Sequence, residues 1–140
     1  NNKNKLNNKK IISVLLLLFF ITNGFCSPGA RQVALGDSLA ACFQHDKALC
    51  AYKPVITSYN PDMSRKQIND CLDAIFGSCN ANLFKANYLA SFGLLSQAED
   101  IMNLFGISDP RLPMFYSAFY LSLNSQVTTN GNYDYFLPER

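Results

Sequence analysis

Ala40-Ala41-Cys42-Phe43-Gln44-His45-Asp46-Lys47-Ala48-Leu49-Cys50-Ala51-Tyr52 is the stretch on which the reading of this chain turns. It holds the only histidine of the 140 residues, set between two cysteines eight apart, and the same spacing returns at Cys71 and Cys79. Apolar residues from Ala34 to about Ala51 recur at helical intervals, with Gly36-Asp37-Ser38 offering a cap near the start. On that helix Cys42, His45, Asp46, Leu49 and Cys50 follow the i, i+3, i+4, i+7, i+8 series and share one stripe.

Punctuation divides the remainder of the chain. Pro54, Asn60 and Pro61 mark a loop over residues 52–63. Ser64-x-x-Gln67 has the form of a capping box and opens a second helix, over about residues 64–76, that Gly77 should stop. A third helix from about Ala81 to Phe92 and a fourth from about Ser96 to Phe105 each end at a glycine, Gly93 and Gly106. Beyond Pro110 and Pro113, Phe115, Phe119 and Leu123 recur every four residues between Met114 and Leu123, a stripe that reads as core. No long stretch alternates apolar and polar with β-branched residues, so strands are not expected. The fold class predicted is all-α, an antiparallel helical hairpin stapled by disulfides and followed by further short helices.

The first 26 residues read as a secretory signal peptide. Lys3, Lys5, Lys9 and Lys10 form a positive start, Ile11 to Ile21 is apolar apart from Ser13, and Gly24 and Cys26 suit a cut before Ser27. The apolar run is about half of the roughly 20 residues that a membrane-spanning helix needs. The expected organisation is a leader at 1–26, a single α-helical domain at 27–125 and a C-terminal tail at 126–140. All ten acidic residues lie after the leader and four of the twelve basic ones lie within it, so residues 27–140 carry eight basic against ten acidic groups, a formal charge of −2. With no basic cluster or stacking-aromatic motif, a nucleic-acid partner is not expected. A secreted or periplasmic location is the expectation that the leader carries.

Removal of Cys26 leaves four cysteines, an even number that in an exported chain favours disulfides. Zinc ligands usually come in pairs two to four residues apart, unlike these. Two cysteines eight apart on one helix are separated by about 12 Å, beyond the roughly 7 Å reach of a disulfide. An antiparallel hairpin would instead pair Cys42 with Cys79 and Cys50 with Cys71. A chain reversal at Gly77 would leave a second arrangement open, with Cys79 returning towards Cys71.

The Cys42-Phe-Gln-His45-Asp46 segment resembles the secreted phospholipase A2 family, in which a helix with a Cys-x-x-His-Asp motif is bridged by two disulfides to an antiparallel helix bearing a second aspartate. Asp73, six residues before Cys79, has a spacing found in many members. Looser likeness to the fungal and bacterial branch lies in Arg65 to Asp70 and Tyr88 to Gly93, and the resemblance spans about Ala40 to Gly93. It implies that His45 is the general base that takes a proton from water and that Asp73 orients its imidazole. It also implies that Asp46 helps to hold a calcium ion polarising the ester carbonyl, with a phospholipid or membrane surface as partner. The roles need an imidazole titrating near neutrality, a carboxylate that fixes its tautomer, and hard oxygen ligands for calcium.

A second reading belongs to another class. Gln67-Ile-Asn-Asp70 through Phe76-Gly77 echoes Gln97-Ala-Glu-Asp100 through Phe105-Gly106 at a period of about thirty, near the length of helix-pair repeats. That echo suits an exported α-helical protein-interaction module or a subunit of an envelope assembly, with a protein partner bound in a groove or on an aromatic face.

Overall fold

A computed structural model describes residues 7–15 and 27–130, the last four as backbone alone. The described residues form helices and contain no strand, so the chain is all-α. Residues 7–15 make α1, after which α2 spans Pro28–Ala41, α3 His45–Thr57, α4 Arg65–Phe84, α5 Tyr88–Phe105 and α6 Arg111–Asn130. The rest of the expected leader, with its cut after Cys26, and tail residues 131–140 lie outside the described residues.

Local chemistry sets the helix starts. Ser27 caps α2 by accepting the Ala30 amide at 3.1 Å, and Pro28 fills a first-turn position whose N–H would have no helical partner. The capping box at the head of α4 forms as expected: Ser64 Oγ accepts from the Gln67 amide at 3.3 Å, and Gln67 Oε1 accepts from the Ser64 amide at 2.9 Å. Asn87 caps α5, and Gly106 ends it in the left-handed conformation at φ 62°.

Helix boundaries elsewhere differ from the sequence expectation. The expected first helix is two, broken at Cys42–Gln44, and α3 runs on through Pro54 into the segment expected to be loop. Gly77 does not stop α4, nor Gly93 α5. Tyr52 explains Gly77 and the equally internal Gly36. A Cβ on Gly36 would run into the Tyr52 ring, and one on Gly77 would stand 2.5 Å from it. Each glycine costs its helix roughly 1 kcal/mol relative to alanine. Together they let three helices close over an aromatic side chain that is 1% exposed, and burial of a side chain this large stabilises by about 2–3 kcal/mol. The Tyr52 hydroxyl donates to Asp37 Oδ1 at 2.5 Å; burial first, then this carboxylate, drive the phenol's pKa above its ordinary range. Gly93 has open space around it, and the structure gives no packing reason for it.

Contacts fix the helix directions. Gly29 meets Asp70 and both Gly36 and Gly77 meet Tyr52, so α2 and α4 run the same way. Cys71 packs on Val55, Gly77 on Tyr52, and Lys85 on Asp46, so α3 runs against α4. Arg65 reaches the Phe105 carbonyl and Ser91 the Cys79 carbonyl, which makes α5 antiparallel to α4. Tyr88 with Ser122, and Glu99 with Tyr116, make α6 antiparallel to α5. Helix α4 is the common wall: Ile68, Leu72, Ile75 and Cys79 face Leu95, Ala98 and Ile101 of α5 and Phe119 of α6. Cys71 and Ala74 face Val33 of α2 and Tyr52 and Val55 of α3.

This register corrects the disulfide expectation. All four described cysteines carry free thiols, and neither Cys42–Cys79 nor Cys50–Cys71 is bridged. The Cys71 Sγ donates to the Val55 carbonyl at 3.4 Å, so the residue opposite it lies five places beyond Cys50, about 7.5 Å along α3. Cys79 lies in the core shared with α5 and α6 rather than on the α3 face. Cys42 and Cys50 are exposed, Cys71 and Cys79 buried, and burial pushes the Cys79 thiol up to about 11.

Candidate functional site

Two helix ends meet at the His45 corner, and both are built in the same unusual way. After α2 the Phe43 amide donates to the Ala40 carbonyl and the Gln44 amide to the Leu39 carbonyl, each at 2.9 Å. After α4 the Ala86 amide donates to the Leu83 carbonyl at 3.0 Å and the Asn87 amide to the Asn82 carbonyl at 2.8 Å. Both pairs are Schellman motifs, whose reversing residue is usually glycine because it takes a left-handed backbone. Here that residue is Phe43 at φ 58° and Ala86 at φ 57°. A residue with a Cβ in this region costs on the order of 1 kcal/mol or more, and such strain tends to gather at functional sites. Because α2 and α4 are parallel, the two strained turns lie at one end of the fold.

Aromatic rings fill the space between them. His45 stacks on Phe84 with centroids 4.8 Å apart and planes 12° from parallel, and Phe43 meets it edge-on at 6.2 Å. Phe43 is 75% exposed and Phe84 63%. Phe84 continues into an open depression of about 430 Å³ lined also by Leu83, Ala86, Tyr88, Leu121 and Ser122, with Leu121 71% exposed. The Lys85 ammonium donates to Asp46 across the two turns, and its hydrogen bond and charge hold the Asp46 carboxyl below the usual carboxylate range.

The residues expected to act together do not converge. His45 Nδ1 is buried and accepts or donates no hydrogen bond among the described residues. Asp73 sits 2.7 Å from Arg111 Nη1, eleven residues of helix before Phe84, about 16 Å along α4. Arg111 spans Asp73 and Asp109 and lies 4.7 Å above the Phe76 ring, so Asp73 helps to fasten the start of α6. Asp46 faces a lysine where a calcium ligand would need to face the metal. Among the described residues no group of three or more His, Cys, Asp or Glu side chains is gathered for a metal ion.

No family model, curated protein or solved structure matches this chain. The exposure of Phe43 and Phe84 is not legible in the sequence, because it depends on the turns at 42–44 and 85–87, which carry no glycine to announce them, and that of Leu121 depends on how α6 packs.

Proposed function

We propose that this protein is an exported α-helical interaction module that binds a protein partner through the corner formed by Phe43, His45, Phe84 and Leu121. The observation that carries the reading is the continuous run of exposed rings and apolar side chains around two strained turns, a surface larger than scattered single hydrophobics would give. His45 then acts as a flat stacking platform. Export rests on the leader pattern, and it is supported by α1, whose Ile11, Ile12, Val14 and Leu15 remain more than half exposed. A protein partner suits the corner better than an anionic membrane, since its lysine is already neutralised by Asp46 and residues 27–140 are net acidic.

The phospholipase-like alternative, with His45 as base, Asp73 as its orienter and a calcium ion at Asp46, makes a contrary prediction. In the interaction reading, Phe43→Ser with Phe84→Ser leaves the melting temperature within about 2 °C, because exposed side chains contribute little to stability. The same pair of changes abolishes cross-linking to a defined extracytoplasmic partner from a photoreactive residue at position 121. Mixed phospholipid vesicles incubated with calcium, and then with chelator, are not hydrolysed. Calcium-dependent hydrolysis that disappears in His45→Gln would reverse the conclusion in favour of the enzyme.

A further inference from the structure

The leader pattern places the cut between Cys26 and Ser27, and Ser27 is the residue that caps the first helix of the packed body. Its side chain does two things at once: Oγ accepts the Ala30 amide at 3.1 Å and donates to Asp70 Oδ2 at 2.9 Å. Asp70, on α4, is folded down over the first turn of α2, so closely that a Cβ on Gly29 would stand 3.2 Å from its Oδ2. Ser27, Gly29, Ser58, Met63, Asp70 and Cys71 line a cavity of about 240 Å³, and Asp70 is the charged group in that lining.

We propose that cleavage after Cys26 creates a Ser27 α-ammonium that pairs with the Asp70 carboxylate, so that removal of the leader locks α2 onto α4. The inference rests on the export reading above. Hydrolysis adds water across the Cys26–Ser27 amide, leaving a carboxylate on the released leader and an ammonium on Ser27. The nitrogen is three bonds from the Oγ that stands 2.9 Å from Asp70 Oδ2, so a small rotation of either side chain brings the two charges within the roughly 4–6 Å at which a carboxylate favours the charged amine. A cation at a helix N-terminus opposes the helix dipole, and a carboxylate held at the same place offsets it. Before cleavage the position is a neutral amide. The pair therefore exists only in the processed chain.

Among the described residues, few titratable groups line the cavity at the new amine. From α4 they are Asp70 and the Cys71 thiol, whose pKa burial and then Asp70 push upward; Val55 of α3 and its C-cap Ser58 bring no charge; Arg31 lies one turn along α2 itself. An amine held charged by a carboxylate contributes stability below its ordinary value of about 7.7–8.0, and that stability is lost as pH rises through its higher paired value.

The experiment uses the exported protein. Its intact mass should begin at Ser27, and half of the sample is carbamylated at the α-amine with cyanate at neutral pH. At pH 6.5 the free-amine form should melt roughly 3 °C above the blocked form, a gap that closes above about pH 9 and is absent in Asp70→Asn. A mass beginning elsewhere overturns both the export assignment and the pair. A mass beginning at Ser27 with equal melting, or with a gap that survives Asp70→Asn, overturns the ion pair and leaves export standing.

Discussion

The Tyr52 crossing and the His45 corner use glycine in opposite ways. At the crossing, Gly36 and Gly77 stand in helix interiors, where glycine is costly, because a ring occupies the space that any side chain would take. At the corner, Phe43 and Ala86 stand in left-handed turns, where glycine would be the cheaper residue, and their side chains are kept. A third left-handed turn, at the end of α5, has glycine at position 106. The contrast separates a region organised for close packing from one that accepts strain to present side chains.

The largest effect expected from breaking the contrast is at the crossing. Gly77→Ala or Gly36→Ala forces a methyl into the Tyr52 ring and should destabilise the protein by about 1–3 kcal/mol in a denaturant titration, despite alanine's better helix propensity. Unchanged stability would remove Tyr52 as the reason for both glycines.

The thiols sample the same contrast at intermediate size. In native protein, Cys42 and Cys50 should alkylate quickly, while Cys71 and Cys79 should react only after denaturation. The Cys79 thiol, pushed up to about 11 by burial, stays neutral in the fold after its unfolded counterpart ionises near 8.5, so stability falls as pH rises from there towards 11. A melting temperature that declines by a few degrees over that interval, and declines less in Cys79→Ala, is the expected result.

An effect no larger than that of the thiols, and opposite in sign, is a gain. Ala86→Gly relieves a left-handed alanine whose backbone amide already makes its turn hydrogen bond, and should raise stability by about 1 kcal/mol, or roughly 3–6 °C in melting temperature. Gly106→Ala should move it by a similar amount in the other direction. If Ala86→Gly gives no gain, strain does not distinguish the corner from the other end.

The helical class and two helix boundaries are legible in the sequence because their causes are local. The Ser64–Gln67 box and the stop at Gly106 involve residues within one turn of each other, and each corresponds to a feature of the fold. The apolar stripe Phe115, Phe119 and Leu123 falls on α6, with Phe119 buried in the core. Several of the expectations that fail interpret a glycine or a cysteine without its spatial neighbour; the loop expected at Pro54 and the stop expected at Gly93 fail without one. Gly77 is no stop and Gly36 no part of a cap, because Tyr52 claims the space beside both, and the equal cysteine spacings do not make two bridges.

The amino-acid sequence by itself determined the helical class, the capped start of α4 and the glycine end of α5, because periodicity and capping are properties of adjacent residues. Tertiary structure alone decided how those helices are registered. A ring from α3 can choose between a glycine that ends a helix and one that makes room for a neighbour, and a displacement of five residues along α3 sets Val55 rather than Cys50 against Cys71. It also sent Asp73 to Arg111 and Asp46 to Lys85, leaving His45 against Phe84, since partners are selected by which helix faces pack and not by distance along the chain.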